Sequence, residues 1–252
     1  MTRTLIAAQS GWGKSWLCQE DTESNLDNVD YCILADYKDE FRGLTKAGLA
    51  KWLGIGSVEA SLGVDEWIQI LEDNERLVCA RSVTPDTWRD WLGTISTAVQ
   101  RIDGTALVVV DEAHFAAPQG NGYPSAIESL ATTGRGNGVA STWVTQRVQR
   151  LDETVVSQAD VRILGGFSSD RDMSKIRSVV PYPVEVHNPL IEAPAGQWDT
   201  SLQRSEDESG GLVGSEWIYS DSSGEVRRFD SGDLSMQSEH YGGESVKLDR
   251  PV

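Results

Sequence analysis

Lysine is scarce in this chain: Lys14, Lys38, Lys46, Lys51, Lys175 and Lys247 are six of 252 residues. With 22 basic residues against 39 acidic ones, the formal net charge is -17. A surface of that sign repels nucleic acid on average, so any such contact has to be local. Cysteine is sparse as well. Cys18, Cys32 and Cys79 are scattered without a Cys-x-x-Cys pair, which argues against a disulfide framework and a zinc site. Each stands in an apolar context and reads as a small buried residue. Long apolar runs are missing. The longest clean one, around residues 107–110, is strand-sized, far short of the ~20 residues that span a bilayer. Met1, Thr2, Arg3 and Thr4 lead straight into a strand pattern, which predicts no secretory leader and a cytoplasmic site of action. Few lysines beside many acids, Ser, Thr and Gly is a composition common in high-salt cytoplasms, and it predicts a halophilic source. In molar salt the Debye length is ~3 Å, so net charge there says little about local contact with DNA.

What is present suffices for a core: 39% of the residues are hydrophobic, and the length fits one large domain or a domain plus an appendage. Residues 4–8 (TLIAA), 31–35 (YCILA), 76–80 (RLVCA), 106–110 (ALVVV), 140–146 (ASTWVTQ) and 161–166 (VRILGG) read as strands. Helices are predicted from Gly13 to about Glu20, over 64–74, near 125–132 and from about Asp170 to Val180. A further helix starts at Thr84-Pro85-Asp86, with a Thr cap, Pro at the first position and an acid in the first turn. Its apolar residues, Trp88, Trp91, Leu92, Ile95, Val99 and Ile102, recur in steps of three and four until Gly104. Continuous rather than alternating apolar strands, separated by helices, imply an α/β fold with a mainly parallel sheet covered on both faces. The composition changes after Pro189. Residues 192–252 hold 13 acids against 5 bases and are rich in Ser and Gly. We expect a core domain over 1–190 and an acidic extension over 191–252, with a hairpin near 216–230 around Asp-Ser-Ser-Gly.

Three motifs carry chemistry. Residues 8–15, Ala8 to Ser15, follow the phosphate-loop pattern G-x-x-x-x-G-K-[ST] except that Ala8 holds the first glycine position. Such a loop needs free backbone N–H groups at a helix N-terminus. Ser10, Gly11, Trp12 and Gly13 would form it, Gly11 and Gly13 supplying flexibility. Lys14 would meet the β- and γ-phosphates and Ser15 would ligate Mg²⁺. Alanine can take the first position if its φ stays negative. The second motif is the strand end Asp111-Glu112: Asp111 for the Mg²⁺ shell, Glu112 to accept a proton from attacking water. The third is Thr145-Gln146-Arg147 at the tip of the next strand, where Gln146 can contact the γ-phosphate or position the water.

Taken together, the phosphate loop, ILADYKDEF, VVVDEAH and GRGNGVASTWVTQR resemble the HerA/FtsK superfamily of DNA-pumping ATPases. Asp36, Lys38, Glu40 and Phe41 match its D-x-K-x-E-[FY] stretch. Gly134, Arg135, Gly138, Thr145, Gln146 and Arg147 match its G-R-x-x-G and T-Q-R segments. The resemblance spans about residues 4–180 and departs at Ala8 and the bulky Trp12. It implies a RecA-like P-loop core that hydrolyses ATP with Mg²⁺, a ring of copies of this chain (a hexamer), and double-stranded DNA in the channel. Arg135 is the implied finger on a neighbour's γ-phosphate and Arg147 the alternate. The loop from Phe115 to Ser125 is either a DNA grip or a plain surface crossover. The compact chain is similar to the genome-packaging ATPases of membrane-containing viruses. With the acidic composition, this implies a virus of halophilic archaea, action in the host cytoplasm or in the virion, and contact with capsid-vertex or membrane proteins. The alternatives are a related motor for DNA transfer or virion assembly, and a nucleotide-regulated scaffold with little turnover. Asp-Glu-Ala-His at 111–114 also fits a helicase motif, but the residues after 190 are too few for the second motor domain that such helicases need. His114 reads as a helix-start residue.

Overall fold

The apolar runs along this chain become the strands of one sheet. In the computed structural model, which describes residues 1–191, 198 and 200–241, the strands are β1 (Arg3–Ala7), β2 (Tyr31–Asp36), β3 (Lys51–Ile55), β4 (Arg76–Arg81), β5 (Ala106–Val110), β6 (Val139–Thr145), β7 (Val161–Leu164), β8 (Arg204–Glu206), β9 (Leu212–Asp221) and β10 (Val226–Asp230). The helices are α1 (Lys14–Asn25), α2 (Arg42–Lys46), α3 (Ser57–Ser61), α4 (Val64–Asp73), α5 (Pro85–Val99), α6 (Ser125–Thr132), α7 (Glu153–Gln158) and α8 (Asp170–Ile176). The sheet order is β10-β9-β7-β1-β6-β5-β2-β4-β3, with β8 paired to β9. From β7 to β3 every pairing is parallel, whereas β9 runs antiparallel to β7 and β10 antiparallel to β9.

Alternation along each central strand feeds two cores, because successive side chains point to opposite faces. Leu5, Ala7, Ile33, Ala35, Val108 and Val110 face one side, where α4 to α8 bury Trp67, Trp91, Ile127, Val155 and Ile176. Ile6, Ala8, Cys32, Leu34, Leu107 and Val109 face the other, against Leu17 and Cys18 of α1 and Trp217 of β9. The α5 cap is as expected: the Thr84 hydroxyl accepts from the Thr87 backbone N–H at 3.3 Å.

Some boundaries differ from expectation. Helix α1 continues to Asn25 because its second half buries the polar Gln19 and Thr22 rather than an apolar stripe. Helix α8 stops at Ile176. The β-branched pair Val179-Val180 precedes Pro181, which disfavours helix in the residue before it. The hairpin at 216–230 is the turn end of β9 and β10, and β9 joins the main sheet through β7. Among the described residues, no helix is long and apolar enough to cross a membrane.

Candidate functional site

The site lies at the carboxyl ends of β1, β5, β6 and β2, where parallel strands release their loops on one edge of the sheet. Residues 10–15 turn from β1 into α1. Gly11 and Gly13 have φ of 74° and 83°, a region that only glycine enters without strain. Ala8 is fully buried and is not among the residues of positive φ, so its methyl group fits. Room for it comes from β7, since a Cβ on Gly165 would stand 2.9 Å from the Ala8 Cβ. The same glycines accommodate Trp12. A Cβ on Gly165 or on Gly166 would come within 2.4 Å of the indole, which lies against both. The Trp12 Nε1–H donates to the Glu216 carbonyl at 3.1 Å and its carbonyl accepts from the Ser215 hydroxyl at 2.8 Å. Trp12 therefore bolts the phosphate loop to β9.

Lys14 donates to the Gln9 carbonyl at 2.8 Å, folded back over its own loop. Burial lowers its pKa to about 8, opposed by the charge of Glu112. Phosphate would reverse that shift by restoring a counter-charge. Ser15 donates its hydroxyl proton to Glu40 Oε2 at 2.5 Å, which leaves the oxygen lone pairs for a cation. Asp111 follows β5 and is 5% exposed. Its Oδ2 is buried without a hydrogen-bond partner, and burial together with Asp36 and Glu112 pushes its pKa well above the carboxylate range. An orphaned buried carboxylate oxygen on a residue that lines the same cleft as a serine hydroxyl suits Mg²⁺, which takes one or two protein ligands plus phosphate and water. Ser15 and Asp111 are thus the residues that would hold it.

Glu112 adopts φ 45° and ψ 47°, a left-handed conformation that costs a non-glycine residue about 1–2 kcal/mol. It is 2% exposed. Its Oε1 accepts from Gln146 Nε2 at 3.0 Å and pairs with Lys38. Its Oε2 has no hydrogen-bond partner; the His114 imidazole, whose pKa burial lowers, stands nearby with Nδ1 3.3 Å away. One oxygen is thus anchored, and the other, buried beside the His114 imidazole, accepts no hydrogen bond.

Sequence reasoning matched Lys38, Glu40 and Thr145 to family segments without giving them a role in the site, and read His114 as a helix-start residue. Asp36 explains the first two. Its carboxylate accepts from the backbone N–H of Glu40 and of Phe41, both at 3.0 Å, folding 36–41 into a turn that presents Lys38 and Glu40 to the cleft. The signal was the D-x-K-x-E pattern itself. His114 sits in a short 3-10 turn and is buried, its Nδ1 3.0 Å from the Thr145 hydroxyl. Nothing in the sequence pointed to the remaining wall: Leu212, Val213 and Gly214 of β9, with Ser231 and His240, line the same cleft of about 450 Å³ as Ser10, Gly11, Gly13, Lys14, Ser15, Asp111, Glu112 and Gln146.

The two arginines diverge. Arg147 is exposed on the turn after β6, directly beyond Gln146. Arg135 precedes β6 at the amino end of the strands, the edge opposite the phosphate loop, 3.9 Å from Asp160. It does not reach the cleft of its own chain. The loop after β5 runs back along the turn after β6, with the Gln119 N–H donating to the Arg150 carbonyl at 2.7 Å and Asp152 N–H to Ala117 at 2.8 Å.

No family model matches the sequence, and no curated protein matches it. The fold has solved counterparts. It is similar to the genome packaging NTPase B204 from Sulfolobus turreted icosahedral virus 2 in complex with ATP-gammaS, with TM-score 0.60 and 15% identity over 90% of this chain and 95% of that one. The same protein in complex with AMPPCP gives 0.61 at 14% identity, covering 90% and 96%. B204, the DNA-packaging ATPase from Sulfolobus turreted icosahedral virus, gives 0.58 at 16%, covering 90% and 96%. With its mostly parallel sheet and its phosphate loop between β1 and α1, the chain has the RecA-like P-loop NTPase fold.

Proposed function

We propose that this protein is an Mg²⁺-dependent ATPase motor that moves double-stranded DNA, its load being a viral genome entering a capsid. The observation that carries the reading is Glu112: a buried carboxylate with one oxygen anchored and one that accepts no hydrogen bond, in the same cleft as the phosphate loop. In this reading Lys14 and the N–H groups of residues 10–15 bind the phosphates. Mg²⁺ held by Ser15 and Asp111 would screen the phosphate charge and polarise the γ-phosphoryl group. Glu112 accepts the proton of the attacking water and Gln146 orients that water.

The fold likeness to two viral packaging NTPases supports the load. A ring, a hexamer by the family pattern, supports a role for Arg135, which is exposed at the far edge where a neighbour's site can meet it; Arg147 is the alternate. Such a finger contributes ~10³–10⁵ in rate where measured. A virus of halophilic archaea, the host cytoplasm or virion as location, and capsid-vertex or membrane partners complete the reading, supported by the acidic, lysine-poor composition.

The test is steady-state ATP hydrolysis in high KCl with Mg²⁺, with and without double-stranded DNA, beside Glu112→Gln. Stimulation by DNA and loss of turnover in the variant is the expected result. A second reading, a nucleotide-regulated assembly scaffold, is favoured by the engagement of Glu112 by both Lys38 and Gln146. Tight ATP binding without turnover, with or without DNA, would select it.

A further inference from the structure

One wall of the cleft has no part in the chemistry described above. Glu112 and Gln146 approach the phosphate loop from the β5 and β6 side, while β9 lies beyond β7 on the other side of β1. There Leu212 is 42% and Val213 61% exposed, and both line the cleft at the register shift where Val213 has no partner residue on β8. Water-facing apolar surface held rigid beside a cleft marks a surface that expects a cover. Rigidity is built in. Trp12 and Ser215 tie β9 to the phosphate loop, and Arg204 Nη1 of β8 donates to the Gly11 carbonyl at 3.2 Å. The pair is also close: the Leu212 Cδ2 lies 3.1 Å from the point where a Cβ on Gly13 would stand.

We propose that Leu212 and Val213 form the base-binding wall of the cleft: the flat heterocycle of a nucleoside triphosphate packs against them while its phosphates lie on residues 10–15. The inference rests on the nucleotide reading of the cleft and assigns the C-terminal hairpin a role in it. A nucleobase offers apolar faces and a polar edge. Aliphatic side chains cover a face and do not read the edge. Polar groups of this wall already have partners: Ser231 Oγ accepts from the Ser215 N–H at 3.0 Å, the Gly214 carbonyl accepts from the Ser205 hydroxyl at 3.3 Å, and His240 turns its Nδ1 to Gln19 Oε1 at 2.8 Å. A site that does not hydrogen-bond the base edge discriminates weakly between bases. The wall therefore adds affinity for any nucleotide over bare polyphosphate, with ATP and GTP within about tenfold of each other.

Titration calorimetry on the full chain tests this with three magnesium-loaded ligands: ATP, GTP and inorganic tripolyphosphate, which has the charge and no base. ATP should bind the wild-type chain at least about tenfold more tightly than tripolyphosphate. In Leu212→Ser/Val213→Ser that advantage should vanish while tripolyphosphate affinity stays at the wild-type value. Val213→Ser alone, at the more exposed position, should remove part of it at an unchanged melting temperature. Unchanged ATP affinity in the double variant would overturn the base wall and leave the phosphate site standing. Equal weakening of ATP and tripolyphosphate would also overturn it, by making the pair a support of the loop. Failure of the wild-type chain to bind either ligand would overturn both this inference and the nucleotide reading.

Discussion

Replacing Gly166 by alanine places a methyl group inside the Trp12 indole. The new Cβ would stand 2.4 Å from the ring carbons Cη2 and Cζ3. Ordinary contact between carbons is about 3.5–4.0 Å, so ring or strand must move by more than an ångström. The ring has nowhere to go: Trp12 is 1% exposed and its Nε1–H is committed to the Glu216 carbonyl. Overpacking of a filled core costs about 1–3 kcal/mol. We expect Gly166→Ala to lower the free energy of unfolding in urea by that amount. Trp12→Ala removes a fully buried ring and should cost about 3–5 kcal/mol alone. In the double variant the clash is gone, so the two losses must not add. Their coupling should reach about 1 kcal/mol or more, within the range for residues in contact. Because Trp12 stands between Gly11 and Gly13, Gly166→Ala should also weaken MgATP binding without touching any phosphate ligand. Wild-type stability in Gly166→Ala, or strict additivity in the double variant, would refute the account of Trp12 as a bolt between loop and sheet.

Three further outcomes follow from the same geometry. Lys38→Ala frees Glu112 Oε1 of its cation, so kcat should fall by roughly an order of magnitude with KM for ATP little changed, steady-state kinetics separating the two. Asp36→Ala leaves the N–H groups of Glu40 and Phe41 without their acceptor, which should cost about 1–3 kcal/mol in denaturant unfolding and disorganise the turn that presents Lys38. His187 is fully buried, its Nδ1 2.7 Å from the Gly165 carbonyl and its Nε2 3.1 Å from the Tyr182 hydroxyl, and burial lowers its pKa to about 4. The unfolded chain takes up that proton near pH 6.5 and the folded chain does not. The His187 contribution is therefore intact above about pH 6.5 and declines as pH falls toward 4, by about 3 kcal/mol in all. His187→Gln should flatten that part of the stability–pH curve, and an unchanged slope would assign it to other groups.

The central strands were legible because a parallel sheet buried on both faces needs unbroken apolar runs, as in residues 106–110. Helix α5 was legible from its cap and from tryptophan and aliphatic residues at helical spacing. Strand β3 was not. Its run Lys51–Ile55 is short, lies at the sheet edge, and is interrupted by Gly54, where a Cβ would stand 3.0 Å from the Trp52 ring. The second half of α1 was hidden for another reason: it buries polar side chains, and their partners are far away in sequence. Gln19 bonds the Ser238 hydroxyl at 2.8 Å and Glu23 accepts from the Ser238 N–H at 3.0 Å. Around the site, the phosphate loop and the Asp111-Glu112 pair are local patterns and could be read. Trp12 looked like a fault in the loop because its compensation, Gly165-Gly166, lies some 150 residues later. The wall built by Leu212 and Val213 depends on β9 pairing with β7, a contact that composition does not encode.

The bolts between loop and hairpin also set an order of assembly. Arg204, Ser215 and Glu216 leave a ribosome 193 to 204 residues after the Gly11 and Trp12 that they hold. Until they arrive, the Trp12 indole nitrogen and the carbonyls of Gly11 and Trp12 have no partner, and the cleft lacks one side. A nascent or prematurely terminated chain would carry every motif recognisable in its first 150 residues and still present an unfinished site. Such a fragment would keep the local pattern of the loop and lack the strand that holds it in place.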